Sequence, residues 1–193
     1  LMKYDVATGL SERLTYGSHN VYLNDISPDG KKLLCSTSKS DITRCPFSLS
    51  SLFEIELATL QADTLVAWDA YLGSASYSPD GKQLLVTGSP SAFGGIGKNC
   101  GEHPIANDFD TQAFIMDLAT KKVQAITRDF NPTVSPVQWN RVNGCIYFDT
   151  TDGDCRHIYR YVPKTGGFEM LPLEEDVITS FTLANDNPVV AAF

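Results

Sequence analysis

Short runs of alternating apolar and polar residues recur along the whole chain, and no long window holds apolar residues at i, i+3, i+4. A period of two is the mark of half-buried strands, so the chain is read as nearly all β. One segment occurs four times. Leu1 to Thr15 reads LMKYDVATGLSERLT, Leu52 to Val66 LFEIELATLQADTLV, Ala113 to Thr127 AFIMDLATKKVQAIT, and Ile158 to Pro172 IYRYVPKTGGFEMLP. Each copy is an alternating run, a small polar turn, then a second alternating run: a β-hairpin. A different segment precedes three of these hairpins. Ile26 to Ser38 reads ISPDGKKLLCSTS, Tyr77 to Ser89 YSPDGKQLLVTGS, and Val137 to Thr150 VQWNRVNGCIYFDT, a degenerate copy; Phe181 to Phe193, FTLANDNPVVAAF, is a fourth. Ser-Pro-Asp-Gly is a turn with a mechanism: Pro presets φ, Asp bonds its own backbone, and Gly supplies a positive φ. The Leu33-Leu34 and Leu84-Leu85-Val86 runs behind these turns read as strands buried on both faces.

Joined, the two segments predict four antiparallel strands per repeat. One such sheet cannot bury both of its faces alone, whereas sheets stacked radially around an axis can. The expected fold is therefore an all-β propeller of four-stranded blades over residues 1–193. The outer hairpin of a partial blade falls at 1–20, full blades at 21–69, 72–128 and 133–172, and the inner strands of a further partial blade at 177–193. The simplest reading is part of a larger ring of seven or eight blades. Its raw blade faces would favour oligomers.

Composition narrows the function. Lys plus Arg is 15 against 23 for Asp plus Glu, a net charge of −8, and no basic run occurs. Phosphate contacts need clustered cations, so nucleic acid is not an expected partner. No apolar run is long enough for a transmembrane helix. The first residues carry no signal-peptide pattern and read as the middle of a strand, and the chain ends within another, which suggests truncation at both ends. Five cysteines, an odd number, imply at least one free thiol or an intermolecular partner; Cys35/Cys45 and Cys145/Cys155 are spaced for bridges, and the sequence leaves those pairings open. Cys100 and His103 are not followed by a second ligand pair, and no D-x-D-x-D-G loop accompanies the acidic runs, so neither a metal nor another cofactor is expected.

The SPDGKKLLCSTS and SPDGKQLLVTGS copies resemble the repeats of TolB-type propellers and of the prolyl oligopeptidase family of serine peptidases (family S9). Residues 85–132, LVTGSPSAFGGIGKNCGEHPIANDFDTQAFIMDLATKKVQAITRDFNP, look like the N-terminal propeller of that family's acylaminoacyl peptidase and dipeptidyl peptidase IV-like branch. The resemblance implies a non-catalytic cap that gates peptide access to a C-terminal α/β-hydrolase domain bearing a Ser/Asp/His triad. No G-x-S-x-G elbow is present: Gly73-Ser74-Ala75-Ser76-Tyr77 lacks the closing Gly and precedes a turn rather than a helix. Glu174-Glu175 does not match the paired-glutamate motif that grips a substrate amino terminus. The alternatives are a TolB-like scaffold for protein partners with no enzymatic activity, and other propellers, including polysaccharide-processing ones. Family members occur in cytoplasm and periplasm; the compartment stays open, with a bacterial extracytoplasmic location favoured.

The candidate site is the interruption at Ser89 to Asp110, since long loops on a rigid scaffold carry function. Phe93, Gly94, Gly95, Lys98, Glu102 and His103 are its expected substrate- or domain-facing residues. Its glycines fit neither phosphate-binding pattern. No catalytic residue is assigned.

Overall fold

The computed structural model describes residues 1–101, 108–184, 187 and 190–192, with Pro136 described at the backbone alone. Three four-stranded antiparallel sheets follow one another. The first comprises β3 (Val21–Ile26), β4 (Lys32–Ser40), β5 (Ser48–Glu56) and β6 (Ala62–Asp69). The second comprises β7 (Leu72–Tyr77), β8 (Gln83–Gly88), β9 (Gln112–Asp117) and β10 (Val123–Ala125). The third comprises β11 (Thr133–Trp139), β12 (Ile146–Asp152), β13 (Cys155–Val162) and β14 (Gly167–Met170). Two-stranded sheets flank them: β1 (Met2–Tyr4) with β2 (Ser11–Arg13), and β15 (Phe181–Leu183) with β16 (Val190–Ala192). Among the described residues the remaining element is a four-residue turn, Ala92–Gly95, in which Phe93 and Gly94 carry left-handed φ.

The Ser-Pro-Asp-Gly turns set the register. In both copies the glycine N–H donates to the serine carbonyl (Gly30 to Ser27, 2.8 Å; Gly81 to Ser78, 2.9 Å), with φ of 71° and 69°. The serine hydroxyl donates to the aspartate (Ser27 to Asp29 and Ser78 to Asp80, both 2.7 Å) and accepts from the first strand residue beyond (Lys32 N, 2.8 Å; Gln83 N, 2.9 Å). The third sheet replaces serine with Asn140, whose Oδ1 accepts from Val142 N and Asn143 N at 2.8 and 3.0 Å. These turns hold Leu33 opposite Ile26, Leu84 opposite Tyr77 and Ile146 opposite Trp139.

There is no single core. One apolar layer fills each joint. Leu34, Leu52, Tyr77, Leu84, Val86, Phe114 and Met116 join the first sheet to the second. Leu85, Ala113, Ile115, Val134, Ile146, Phe148 and Tyr161 join the second to the third. Adjacent residues Leu84 and Leu85 thus face opposite neighbours, the reason this strand is apolar without alternation. Smaller layers seat β1–β2 on the first sheet and β15–β16 on the third. Phe130, between β10 and β11, stacks on Phe168 at 4.5 Å between centroids and meets Tyr159 edge-on at 5.0 Å. Four-stranded sheets stacked face to face in chain order are the blades of a β-propeller.

The joint between the first two blades also carries charge. Glu54, 6% exposed, accepts from the Tyr77 hydroxyl at 2.7 Å and from Lys32 Nζ at 3.0 Å. Asp25 accepts from Tyr77 N at 2.8 Å. Burial, then the Glu54 carboxylate, pushes the Tyr77 phenol well above its usual value; the hydrogen bond to Glu54 raises Lys32.

Candidate functional site

The connections β4–β5 and β8–β9 and the links between blades lie at the end of the array opposite the Ser-Pro-Asp-Gly turns. The β8–β9 connection is the long one. It runs from Ser89 to Thr111, and its first part packs on its own blade through Phe93 and Phe114. Three features hold its first half. Gly88 is so close to its neighbours that a Cβ there would meet Tyr71 O at 2.7 Å, and one at Gly97 would meet Gln112 Oε1 at 2.4 Å. Asp69, at the end of β6, accepts from Tyr71 N at 2.8 Å and from Phe93 N at 2.7 Å, so one carboxylate clamps the inter-blade link and the insertion together. Ala92 is fully buried, and the Phe93 ring packs on Phe114 at 5.1 Å. These contacts hold Phe93 at a φ of 54°, a left-handed conformation that costs a non-glycine residue about 1–2 kcal/mol.

The insertion's other end, Asp108–Thr111, walls an open cleft of about 660 Å³. Cys45 and Pro46 of the β4–β5 loop and Tyr71, Gly73 and Thr87 also line it. Asp110 accepts from Thr133 Oγ1 at 2.9 Å, tying the wall to the third blade. Ser89 Oγ donates to Asp108 at 3.3 Å. The Lys39 ammonium sits 4.1 Å over the Trp68 ring at the end of β6, and His19 meets the same ring at 5.9 Å. The lining thus brings two carboxylates, Asp108 and Asp110, together with apolar surface from Pro46, Tyr71 and Leu72.

The expected site residues divide. Phe93 anchors the loop from beneath. Gly94 and Gly95 carry positive φ in the turn that follows, and Lys98 is exposed with its stem against Gly95. None of the four lines the cleft. Glu102 and His103 lie outside the described residues. Sequence reasoning did not single out Asp69, Tyr71, Asp108 or Asp110: short-range pattern reports strands and turns, not which link lies beneath which loop.

Gly73 to Tyr77 lies within strand β7. All five cysteines are free thiols in the structure, and burial pushes Cys35 up to about 11. Among the described residues, no three His, Cys, Asp or Glu side chains gather where they could hold a metal ion. No helix among them is long and apolar enough to cross a membrane.

No family model and no curated protein sequence matches the chain. Solved structures do. TolB from Acinetobacter baumannii superposes with a TM-score of 0.67 at 19% identity, over 99% of this chain and 42% of that one. An oligogalacturonate lyase in complex with manganese gives 0.69 at 14%, over 96% and 50%. Porphyromonas gingivalis dipeptidyl peptidase 4 gives 0.64 at 10%, over 99% and 32%. The chain spans half or less of the length of these structures. It shares its β-propeller fold with TolB-type proteins and with the propeller domains of S9 peptidases.

Proposed function

We propose that residues 1–193 are a non-catalytic propeller segment of a prolyl oligopeptidase-type serine peptidase, with blades at 21–69, 72–128 and 133–172, that gates short peptides toward an α/β-hydrolase domain carried elsewhere in the parent. The reading rests on one observation: an otherwise regular blade array is interrupted by a single long insertion, which is clamped by Asp69 and walls a cleft the size of a ligand pocket. In this reading the exposed loop of Gly94, Gly95 and Lys98 is the part turned toward the hydrolase domain, with Phe93 as its anchor, and the cleft beneath Asp108–Thr111 is the part that takes substrate. The cleft's carboxylates, Asp108 and Asp110, suit peptides with a free amino terminus or basic side chains. Any acyl transfer would belong to a triad outside this chain.

A second reading, a TolB-like scaffold with protein partners, is favoured by the 19% identity to TolB along 99% of the chain. Titration of the 193-residue protein with fluorescent tetra- to octapeptides, followed by anisotropy, separates the two. The gating reading expects saturable binding that weakens at least tenfold in Asp108→Ala/Asp110→Ala and that longer peptides lose. Absence of peptide binding, or binding indifferent to both substitutions, overturns it.

A further inference from the structure

The turns that meet at the two joints between complete blades do so differently. At the first joint they touch: a Cβ added to Gly81 would lie 3.3 Å from the Pro28 ring. At the second joint the corresponding residues, Asn143 and Pro79, line a pocket of about 300 Å³. The sequence explains the difference. Asn140-Arg141-Val142-Asn143-Gly144-Cys145 stands where the second blade has Ser78-Pro79-Asp80-Gly81-Lys82-Gln83, so its glycine falls one place later. The positive φ moves with it, to 69° at Gly144. Gly144 N–H donates to Asn140 O, four residues back, at 3.1 Å, whereas Gly81 N–H donates to Ser78 O, three residues back, at 2.9 Å. A Cβ at Gly144 would meet nothing within 4 Å.

The same joint leaves polar groups for a ligand. Gln83 has the place of Lys32, but Ile115 stands where Lys32 finds Glu54. Among the described residues the Gln83 carboxamide therefore has no hydrogen-bond partner, although its backbone N–H is held by Ser78 Oγ at 2.9 Å. Other groups of the lining are spent: Trp139 Nε1 donates to Gly144 O at 3.1 Å, and Asn143 Nδ2 to the Tyr147 hydroxyl at 2.9 Å. What the pocket offers is ring surface from Trp139, Pro79 and Pro163, one amide from Gln83, and two exposed charges of opposite sign, Asp80 and Lys164.

We propose that this pocket docks an extended segment of a partner protein through one aromatic side chain. Its volume is at the small end of ligand pockets, about 300–1,000 Å³, and admits a single ring with its backbone. Tryptophan and proline rings favour an aromatic ring over an aliphatic chain. A carboxamide, donor and acceptor together, is the complement of a peptide group, so Gln83 reads the backbone beside that ring. Asp80 and Lys164 then take flanking residues of opposite charge. The pocket is built from the turns β7–β8, β11–β12 and β13–β14, at the end of the array opposite the cleft of Asp108 and Asp110. The inference is thus independent of the proposed function, and every residue it uses belongs to a complete blade.

Fluorine NMR titrations of the 193-residue protein test it. The probe is a capped tripeptide, para-fluorophenylalanine between two glycines, and it should show saturable line broadening. Gln83→Leu keeps the side chain's size and its backbone bond, and should weaken that binding about fivefold or more, the worth of roughly one hydrogen bond. Para-fluorotoluene has the ring without the amide and should bind both proteins alike. Replacing the glycines by lysine and glutamate should tighten binding in one of the two orders, and Lys164→Glu should abolish that gain. Absence of saturable tripeptide binding, equal binding to Gln83→Leu, or loss of fluorotoluene together with the tripeptide would each overturn the proposal. So would free para-fluorophenylalanine binding more tightly than the tripeptides, which would make this a site for a free amino acid.

Discussion

The joint between the first two blades offers a measurable test of how these blades are held. Tyr77→Phe removes one hydroxyl, and the ring still fits its layer. Glu54, 6% exposed, then loses its 2.7 Å donor while its carboxylate stays buried. A hydrogen bond to a charged group contributes about 1.5–3 kcal/mol, and stranding one buried partner costs toward the upper end of that range. For a chain of this length each kcal/mol moves Tm by about 2–4 °C, so Tm should fall by about 4–10 °C. The protein supplies its own control. The next joint places Ile115 and Trp139 where this one has Glu54 and Tyr77, so an apolar side chain stands there in place of the carboxylate. Adding Glu54→Ile to Tyr77→Phe should recover at least half of the loss, because replacing a buried ionic group by an apolar one is often neutral or stabilising. Lys32, with 44% of its side chain exposed, can return to water. Guanidinium melts of the four proteins in this cycle, read by circular dichroism, give the coupling. A Tyr77→Phe protein within 1 °C of the original, or a double variant worse than the sum of the singles, would refute the assignment of this network as a buried tie.

The same joint should make stability fall in alkali: the folded-state values of Tyr77 and Lys32 are both raised, so their contribution is intact below about pH 10 and is lost as pH rises beyond it. Melts from pH 8 to 11 should show a steeper decline for the original than for Tyr77→Phe/Glu54→Ile. In acid the sign reverses. Asp29, Asp80 and Asp117 are held low by hydrogen bonds in their turns, so their contribution is present above the ordinary carboxylate value and lost as pH falls below about 4, which acid melts will show. Gly97→Ala places a Cβ 2.4 Å from Gln112 Oε1 and 3.1 Å from Phe114, and overpacking of this kind costs about 1–3 kcal/mol; early proteolytic cleavage within 89–111 is the readout. Asp69→Ala removes the acceptor for Tyr71 N and Phe93 N and should loosen the same segment while the sheets stay intact, measured as faster hydrogen exchange confined to residues 69–98.

Local pattern along the chain specifies the strands, their order within a sheet and the turns that fix register. Those are local quantities: alternation of period two, a Pro-Asp-Gly turn that closes on its own serine, and repeats that place Leu34 and Leu85 alike. It also marked the insertion at Ser89 as the departure from the repeat. Which faces meet was decided by tertiary structure. That Glu54 in one blade and Ile115 in the next solve the same joint in opposite ways depends on Tyr77 and Trp139 arriving from the neighbouring sheet, 23 to 24 residues along the chain. The candidate site shows the same limit. Phe93, in a glycine-rich loop, reads as exposed, but Asp69 captures its amide and Phe114 its ring, and the cleft falls instead between Cys45, Tyr71 and Asp110. Those three belong to different connections, and stacking the blades at one curvature is what brings them to the same end of the array.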